Sequence, residues 1–232
     1  MRIHILQHVP FEGPAAIADW AQYRGHSLTT TRLFSPRDQL PPPNSMDMLV
    51  IMGGPMGVHD STTYPWLTKE MDFVGRILTQ GTKILGICLG AQILAYVLGA
   101  QVTRNSEREI GWFPIRTPSD IPKSFSQWFP PEYTAFHWHG ETFSIPAGAI
   151  LLGSSAACRN QGFLWNKQAL ALQFHLETTS ASTENLLTHC GDDVHQPGPF
   201  VQTAEQIRSG ATQYASTLNR TLTQLLDQWS VL

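Results

Sequence analysis

The chain has 232 residues, of which 42% are hydrophobic and 14% are charged, and its formal net charge is -3. This length fits one large α/β domain, and the apolar content is enough for a substantial core. The slightly acidic balance argues against binding to nucleic acid or to an anionic membrane, because both are recognised through clustered Lys and Arg. We therefore expect a small-molecule ligand.

The first half of the chain alternates strand and helix patterns. Strands are predicted at 2–7, 27–34, 48–52 and 83–87, helices at 15–23, 64–78 and 91–98, and a proline-rich loop at 40–44. This alternation predicts an α/β fold with a doubly wound, mostly parallel sheet of the flavodoxin-like type. Ligands of such sheets bind outside the carboxyl ends of the strands. Gly53, Gly54 and Cys88 all fall at such ends.

The second half changes character. Short extended segments separated by Pro and Gly occur at 101–105, 111–116, 133–138, 150–154, 162–165 and 169–174. They predict antiparallel strands appended to the parallel sheet. Helices are predicted at 183–189, 201–208 and 212–229, with a mobile loop at 191–199. We expect a single domain over 1–232, in which about 181–232 forms a helical C-terminal extension.

The cysteines and the N-terminus bear on the compartment. The chain has three cysteines and no C-x-x-C pair: Cys88, Cys158 and Cys190. A sparse, odd set of this kind is typical of a reducing compartment in which a free thiol persists. The apolar run at the N-terminus is short and is interrupted by His4 and Gln7, unlike a signal peptide or an anchor. We expect a cytoplasmic protein.

The stretch 83–100 reads KILGICLGAQILAYVLGA and places Cys88 between two glycines at a predicted strand-to-helix turn. In such a turn the missing side chains allow a sharp corner that exposes the nucleophile. The N-terminus of the following helix favours a thiolate. Two other interpretations stay open. Cys88 is a buried structural cysteine, or the uncharged run 84–103 spans a membrane, which its three glycines and Gln92 disfavour.

A cysteine nucleophile needs a base, and the base needs an orienting acceptor. His175 and Glu177 follow the predicted strand 169–174, and residues i and i+2 of an extended segment project to one side. They therefore suit a Cys-His-acid triad with Cys88. On the alternative interpretation, Glu177 caps the next segment and His175 is a hydrogen-bonded histidine at the rim.

The Gly53-Gly54-Pro55 loop follows a buried strand. Its backbone N–H groups, together with the amide of Leu89, are suited to form an oxyanion hole. A plain turn at the end of a strand explains the loop equally well on its own.

His137 and His139 share one face of a predicted strand and offer two metal ligands. No cysteine or carboxylate lies at metal-ligand spacing from them in the sequence. We therefore predict no metal site here.

Three motifs, at 53–55 (GGP), 86–92 (GICLGAQ) and 173–177 (QFHLE), resemble in this order those of the class I, or triad, glutamine amidotransferases. The resemblance covers residues 1–177 and is nearest to stand-alone proteins related to the glutaminase domain of GMP synthase. It implies that Cys88 attacks the side-chain amide of glutamine, that His175 protonates the leaving ammonia and that Glu177 orients His175. Water then hydrolyses a γ-glutamyl thioester.

The same resemblance implies a set of substrate-binding residues. They comprise the oxyanion loop and donors, a glutamine that holds the amino-acid end of the substrate, a pocket-lining segment and a position in a His-Gly-Asp-like motif: Gly53, Gly54, Leu89, Gln92, Ile110, Gly111, Trp112 and His137. In that last motif Glu141 stands where relatives carry Asp.

This sequence departs from the family pattern in two ways. Leu176 stands between His175 and Glu177, where many members have proline, but its side chain faces away from the predicted triad. The segment after Glu177 is short for a synthetase domain, and no G-x-x-x-x-G-K-[ST] nucleotide loop occurs. We therefore expect no bound cofactor, and a separate synthetase subunit as the possible partner.

Two alternatives to the amidotransferase interpretation remain. The first is a γ-glutamyl peptide or conjugate hydrolase that forms the same thioester and needs no partner. The second is a non-catalytic interaction module that keeps only the fold.

Overall fold

The structure is a computed structural model that describes residues 1–125 and 127–232. The described strands are β1 (Arg2–Gln7), β2 (Ser27–Arg32), β3 (Met48–Ile51), β4 (Lys83–Ile87), β5 (Val102–Arg116), β6 (Glu132–Phe143), β7 (Ala149–Gly153), β8 (Gly162–Trp165) and β9 (Ala169–Leu172). The described α-helices are α1 (Ala16–Tyr23), α2 (Trp66–Thr79), α3 (Leu89–Val97), α4 (Ser180–His189) and α5 (Ala204–Trp229). Short 3-10 helices lie at Pro43–Ser45, Asp60–Thr62 and Gly191–His195.

The main sheet has seven strands in the order β2-β1-β3-β4-β9-β8-β7. The first five strands of this order run parallel, and β8 and β7 are antiparallel to their neighbours. Every residue of β3 and β9 is buried, as expected for parallel strands covered on both faces. The doubly wound, mostly parallel sheet with added antiparallel strands is therefore confirmed.

Two details of the strand prediction are wrong. The segments 101–105 and 111–116 belong to one long strand, β5, which pairs with β6 in a separate two-stranded sheet and shifts register between Arg104 and Glu109. Strand β9, which the sequence grouped with the antiparallel segments, is parallel to β4 and antiparallel to β8. Local pattern does not reveal these pairings, because they depend on which strand lies alongside.

Helix α5 runs unbroken over Ala204–Trp229, so the two helices predicted at 201–208 and 212–229 are one. Gly210, which lies between the two predicted segments, is buried against the indole of Trp112. A Cβ at this position would lie 2.6 Å from Cγ of Trp112. Glycine here permits close packing of α5 on β5 and does not end the helix.

Gly210→Ala is expected to lower the free energy of unfolding by about 1–3 kcal/mol, because the added methyl group overlaps the Trp112 ring. This cost exceeds the roughly 1 kcal/mol by which alanine favours a helix over glycine. Gly75→Ala in α2 is the matched control, since the nearest atom to its Cβ is Val97 Cγ1 at 3.8 Å. Urea unfolding should show that Gly75→Ala stabilises the protein by about 0.5–1 kcal/mol. Equal gains from both variants would contradict the packing role.

The topology brings the carboxyl ends of β1, β3, β4 and β9 to one edge of the sheet. The β5–β6 hairpin lies beside this edge. The N–H of His175, which follows β9, donates a hydrogen bond to the carbonyl of Phe136 in β6 at 2.8 Å. None of the helices in the described part of the chain combines the length and the apolar character needed to cross a membrane.

Candidate active site

Cys88 occupies a sharp corner between β4 and α3. Its backbone has φ 51° and ψ -105°, a region that non-glycine residues rarely adopt and that is found at functional sites. A Cβ on either flanking glycine would overlap backbone: Gly86 faces the Gly90 carbonyl, and Gly90 faces that of Ile51. The two glycines therefore make the corner possible.

Polar groups surround the sulfur of Cys88. The residue is 7% exposed. The side-chain amide of Gln173 donates to Sγ at 3.6 Å, and Sγ lies 3.7 Å from the carbonyl of Trp138. Gln92 in turn donates to the Gln173 carbonyl oxygen at 3.1 Å. Gln92 thus orients the Gln173 amide, which donates to the sulfur. Gln173 belongs to the 173–177 motif and is a site residue that the sequence analysis missed, although its i, i+2 spacing from His175 places both on one side.

His175 and Glu177 form a buried pair next to the thiol. His175 Nδ1 lies 2.7 Å from Glu177 Oε1, which leaves Nε2 for Cys88. Burial opposes a charged imidazolium, but the Glu177 carboxylate and a hydrogen bond with Cys88 outweigh it and raise the pKa of His175 well above its ordinary value. A base that is protonated and faces a sulfur can donate its proton to a leaving group.

Backbone N–H groups without an acceptor in the described part of the chain lie at the edge of the site. Those of Gly54, after β3, and Leu89, at the first turn of α3, have no acceptor within the described residues. Gly54 lies in the wall of the cleft that contains Cys88. A pair of unpaired donors beside a nucleophile can bind a developing oxyanion.

The cleft has a volume of about 470 Å³. It brings together five of the predicted site residues, Gly54, Cys88, Gln92, Ile110 and His175, and Leu89 and Gly53 lie directly behind its wall. It is also lined by three acidic side chains that the sequence did not single out, Glu12, Asp60 and Asp193, and by Arg108, Trp138 and Glu141.

Gly111, Trp112 and His137 do not line the cleft, contrary to the expectation drawn from the family resemblance. The indole N–H of Trp112 donates to the carbonyl of Ile207 at 2.9 Å, so the ring packs under α5. Gly111 faces Gln202 instead. His137 is fully buried within the hairpin. Gly111 is adjacent to Ile110 in β5, so strand alternation turns it away from the cleft. Trp112 is two residues from Ile110, so its packing under α5, and not alternation, keeps it out of the cleft wall.

Glu12 is a functional candidate that the sequence analysis missed. It follows β1 and lines the cleft, and its carboxylate has no hydrogen-bond partner in the described residues. Burial raises the pKa of this carboxyl, while His175 and His8 act in the opposite direction. The rule that ligands bind beyond the carboxyl ends of parallel strands would have indicated it.

The segment 191–196 closes one side of the cleft. Arg108 donates to the carbonyls of Asp193 at 3.3 Å and Gln196 at 2.7 Å. The indole N–H of Trp138 donates to the Asp193 carboxylate at 3.0 Å. The 3-10 helix in this segment, predicted as a loop, is thereby attached to both strands of the hairpin.

A second buried polar cluster lies in the hairpin. Glu109 Oε2 lies 3.3 Å from His137 Nδ1 and 3.2 Å from His139 Nε2, and it accepts a 2.6 Å hydrogen bond from Gln161. Spacing in the sequence does not reveal this carboxylate, because it is the pairing of β5 with β6 that sets Glu109 opposite His139. The three ligand atoms lie within 4.8 Å of one another. However, Glu109 Oε2 already accepts hydrogen bonds from His139 and Gln161, so the cluster needs no cation to satisfy that oxygen.

This cluster should make the fold sensitive to acid. Burial alone would raise the pKa of Glu109, but His137 and His139 outweigh it and lower the pKa to about 2, while burial lowers the pKa of His137 to about 4. Both groups bind protons more readily when unfolded, so their stabilising contribution falls as the pH drops below about 6.5 and towards 2.

Glu109→Gln is expected to reduce the free energy of unfolding at pH 7 by about 1–3 kcal/mol, because it weakens hydrogen bonds to a charged acceptor. The difference from wild type should shrink between pH 4.5 and 3, and urea titrations at several pH values measure it. Glu107→Gln, at an exposed position, is the control. A pH-independent difference would contradict the expectation.

Fold and site together define the class of protein: an α/β protein with a cysteine at a glycine-flanked elbow and, in the same cleft, a histidine that is paired with a buried glutamate. The sequence profile of the family described as "Glutamine amidotransferase class-I" matches residues 15–191. The chain belongs to this family, which confirms the resemblance of its three motifs.

Relatives agree with this assignment. YfeJ, a glutamine amidotransferase-like protein of Salmonella typhimurium, is 28% identical over 98% of this chain and 97% of its own length. A GMP synthase (glutamine-hydrolyzing) of Neisseria meningitidis is 30% identical over 56% of this chain, but the match spans only 24% of that protein. Solved glutamine amidotransferases superpose over the whole chain. The Thermotoga maritima protein has a TM-score of 0.89 at 30% identity, covering 99% of this chain and 98% of its own. The Methylobacillus flagellatus protein has a TM-score of 0.91 at 27% identity, covering 98% and 93%.

Proposed function

We propose that the protein hydrolyses the side-chain amide of glutamine through a thioester on Cys88. The sulfur attacks the amide carbon, and the carbonyl electron pair moves onto oxygen. The N–H groups of Gly54 and Leu89 hold this oxyanion. As the tetrahedral species collapses, the C–N bond breaks and His175 Nε2 gives its proton to nitrogen, so that ammonia leaves.

Water completes the cycle. His175, now neutral, takes a proton from water while the oxygen attacks the thioester carbon. The C–S bond then breaks, glutamate leaves and the sulfur is regenerated beside an imidazolium. Glu177 accepts a hydrogen bond from the Nδ1–H of His175 throughout, which keeps the exchangeable proton on Nε2.

The observation that carries this proposal is the arrangement of the His175–Glu177 pair, with its 2.7 Å bond, against the sulfur of a strained strand-to-helix corner. Buried carboxylate, imidazole and thiol are the groups that covalent catalysis by cysteine requires. Membership of the amidotransferase family supports the amide of glutamine as the bond that is broken.

The released ammonia is proposed to pass to a separate synthetase subunit. The basis for this partner is that the matched GMP synthase is much longer than the region it shares with this chain. One observation favours the second candidate, hydrolysis of γ-glutamyl peptides or conjugates without a partner. The cleft of about 470 Å³ lies in the range of sites that hold ligands larger than a single amino acid.

Incubation with glutamine and with γ-glutamyl dipeptides, followed by intact-protein mass spectrometry, tests both candidates. The expected result is a γ-glutamyl adduct on Cys88 that is missing in Cys88→Ala, together with release of ammonia or of the free amino acid. Turnover of dipeptides but not of glutamine would favour the second candidate. No adduct and no turnover with either substrate would refute both and leave the non-catalytic module.

A further inference from the structure

A second histidine–carboxylate pair lies directly behind the Gly53-Gly54 loop. His8 follows β1 and Glu70 lies on α2, and both side chains are completely buried. His8 Nδ1 is 3.0 Å from the carbonyl oxygen of Gly53, and Nε2 is 3.0 Å and 3.2 Å from the two oxygens of Glu70. The ring also stacks on Trp66 with a centroid distance of 5.5 Å. The imidazole is thus held in one orientation.

Both partners of His8 can only accept hydrogen bonds. A neutral imidazole has one donor nitrogen and one acceptor nitrogen, whereas an imidazolium has two donors. The contacts therefore fit a charged His8 that donates to Gly53 and to Glu70. Burial opposes the charge, but Glu70 and the Gly53 carbonyl outweigh it and raise the pKa of His8.

The bond to Gly53 has a geometric consequence for the next residue. The carbonyl of Gly53 and the N–H of Gly54 belong to one planar trans peptide unit, so they point in opposite directions. Fixing the carbonyl towards His8 fixes the N–H away from it. Gly54 lies in the wall of the cleft that contains Cys88, and its N–H has no acceptor in the described residues. A Gly-Gly peptide needs such an anchor, since neither residue restricts its own rotation.

We propose that His8 and Glu70 are positioning residues that hold the Gly53–Gly54 peptide with its N–H directed at the oxyanion. This inference rests on the proposed function, because an oxyanion arises only if Cys88 attacks a carbonyl. Since a pre-oriented donor acts mainly on the transition state, the pair should influence kcat much more than KM.

Two double variants test the hydrogen-bond donor at His8 Nδ1. Both carry Glu70→Gln, so that no buried carboxylate is left without its charged partner. His8→Asn/Glu70→Gln keeps an N–H close to the position of Nδ1, and His8→Leu/Glu70→Gln removes it at similar side-chain size. Loss of one oxyanion donor costs about 10²–10³-fold in kcat. We expect the Leu form to fall by about 10²-fold below the Asn form in kcat on the substrate that wild type turns over, with similar KM. Thermal unfolding monitored by circular dichroism verifies that both are folded.

A second readout separates positioning from a merely structural effect. Alkylation of Cys88 by iodoacetamide forms no oxyanion, so its rate should match in the two double variants. Transfer of the γ-glutamyl group to Cys88 in a single turnover should be slow only in the Leu form. Equal kcat in the two forms, or a parallel loss of alkylation, would overturn the inference. If either double variant fails to fold, the comparison is made between Glu70→Gln and wild type. An unchanged kcat in Glu70→Gln would then overturn the inference. Inactivity of wild type on every substrate refutes the proposed function itself, and the inference with it.

Discussion

Replacement of Cys88 by alanine is expected to abolish turnover, with a loss in kcat of about 10⁴-fold or more, because in the proposed mechanism it deletes the atom that bonds covalently to the substrate. The fold should tolerate the change, because alanine removes only the sulfur, which makes a hydrogen bond with His175 and two long contacts at 3.6 and 3.7 Å. Ammonia release measured by a coupled assay, together with thermal unfolding, checks both statements.

Cys158→Ala is the matched control for this experiment. Cys158 is also a buried free cysteine, its Sγ lies 3.2 Å from the Thr142 hydroxyl, and burial raises the pKa of its thiol. It should therefore remain an unreactive thiol, and its alanine variant should keep activity. Full activity of Cys88→Ala, or loss of activity in Cys158→Ala alone, would exclude Cys88 as the nucleophile.

The parallel part of the fold was predictable from local sequence. Buried parallel strands are continuous apolar runs, and 48–51 has this character and was placed in the parallel sheet. The run 169–172 has the same character, but its position among the antiparallel segments hid its parallel pairing. The glycine-flanked corner at Cys88 could also be recognised from the sequence. Positions 86 and 90 require glycine, because a Cβ at either would overlap nearby backbone atoms. Features that depend on residues close together in the chain can therefore be predicted from the sequence.

The pairing of distant segments was not predictable in this way. Only the register of β5 against β6 brings Glu109 to His139, and only contact with Trp112 explains why Gly210 lies within a continuous helix. Both facts depend on neighbours that are far away in the chain. Sequence reasoning therefore found two members of the hairpin cluster, His137 and His139, and missed the third, Glu109.

The residues of the candidate site show the same difference between local and distant information. His175 and Glu177 were found because their i, i+2 spacing is local. Glu12 and the His8–Glu70 pair come from the neighbouring strand end and from α2, and each looks like an ordinary polar residue in its own segment. Conversely, Gly111 and Trp112 were carried over with a whole segment, although Gly111 faces away from the side of Ile110 and Trp112 packs under α5.

Glu177→Gln is expected to lower kcat by about 10³–10⁴-fold, because an amide in place of the carboxylate permits the wrong tautomer of His175. The Glu177 carboxylate is among the groups that raise the pKa of His175, so its removal should lower that pKa. A protonated His175 then survives only to a lower pH, and the alkaline limb of the kcat profile should move to lower pH. Glu184→Gln, which removes only an exposed ion pair with Arg208, is the control and should leave the profile unchanged. An unshifted alkaline limb with normal kcat would mean that Glu177 does not orient the base, and Ala16 N–H bonding to its carbonyl would then be its main role.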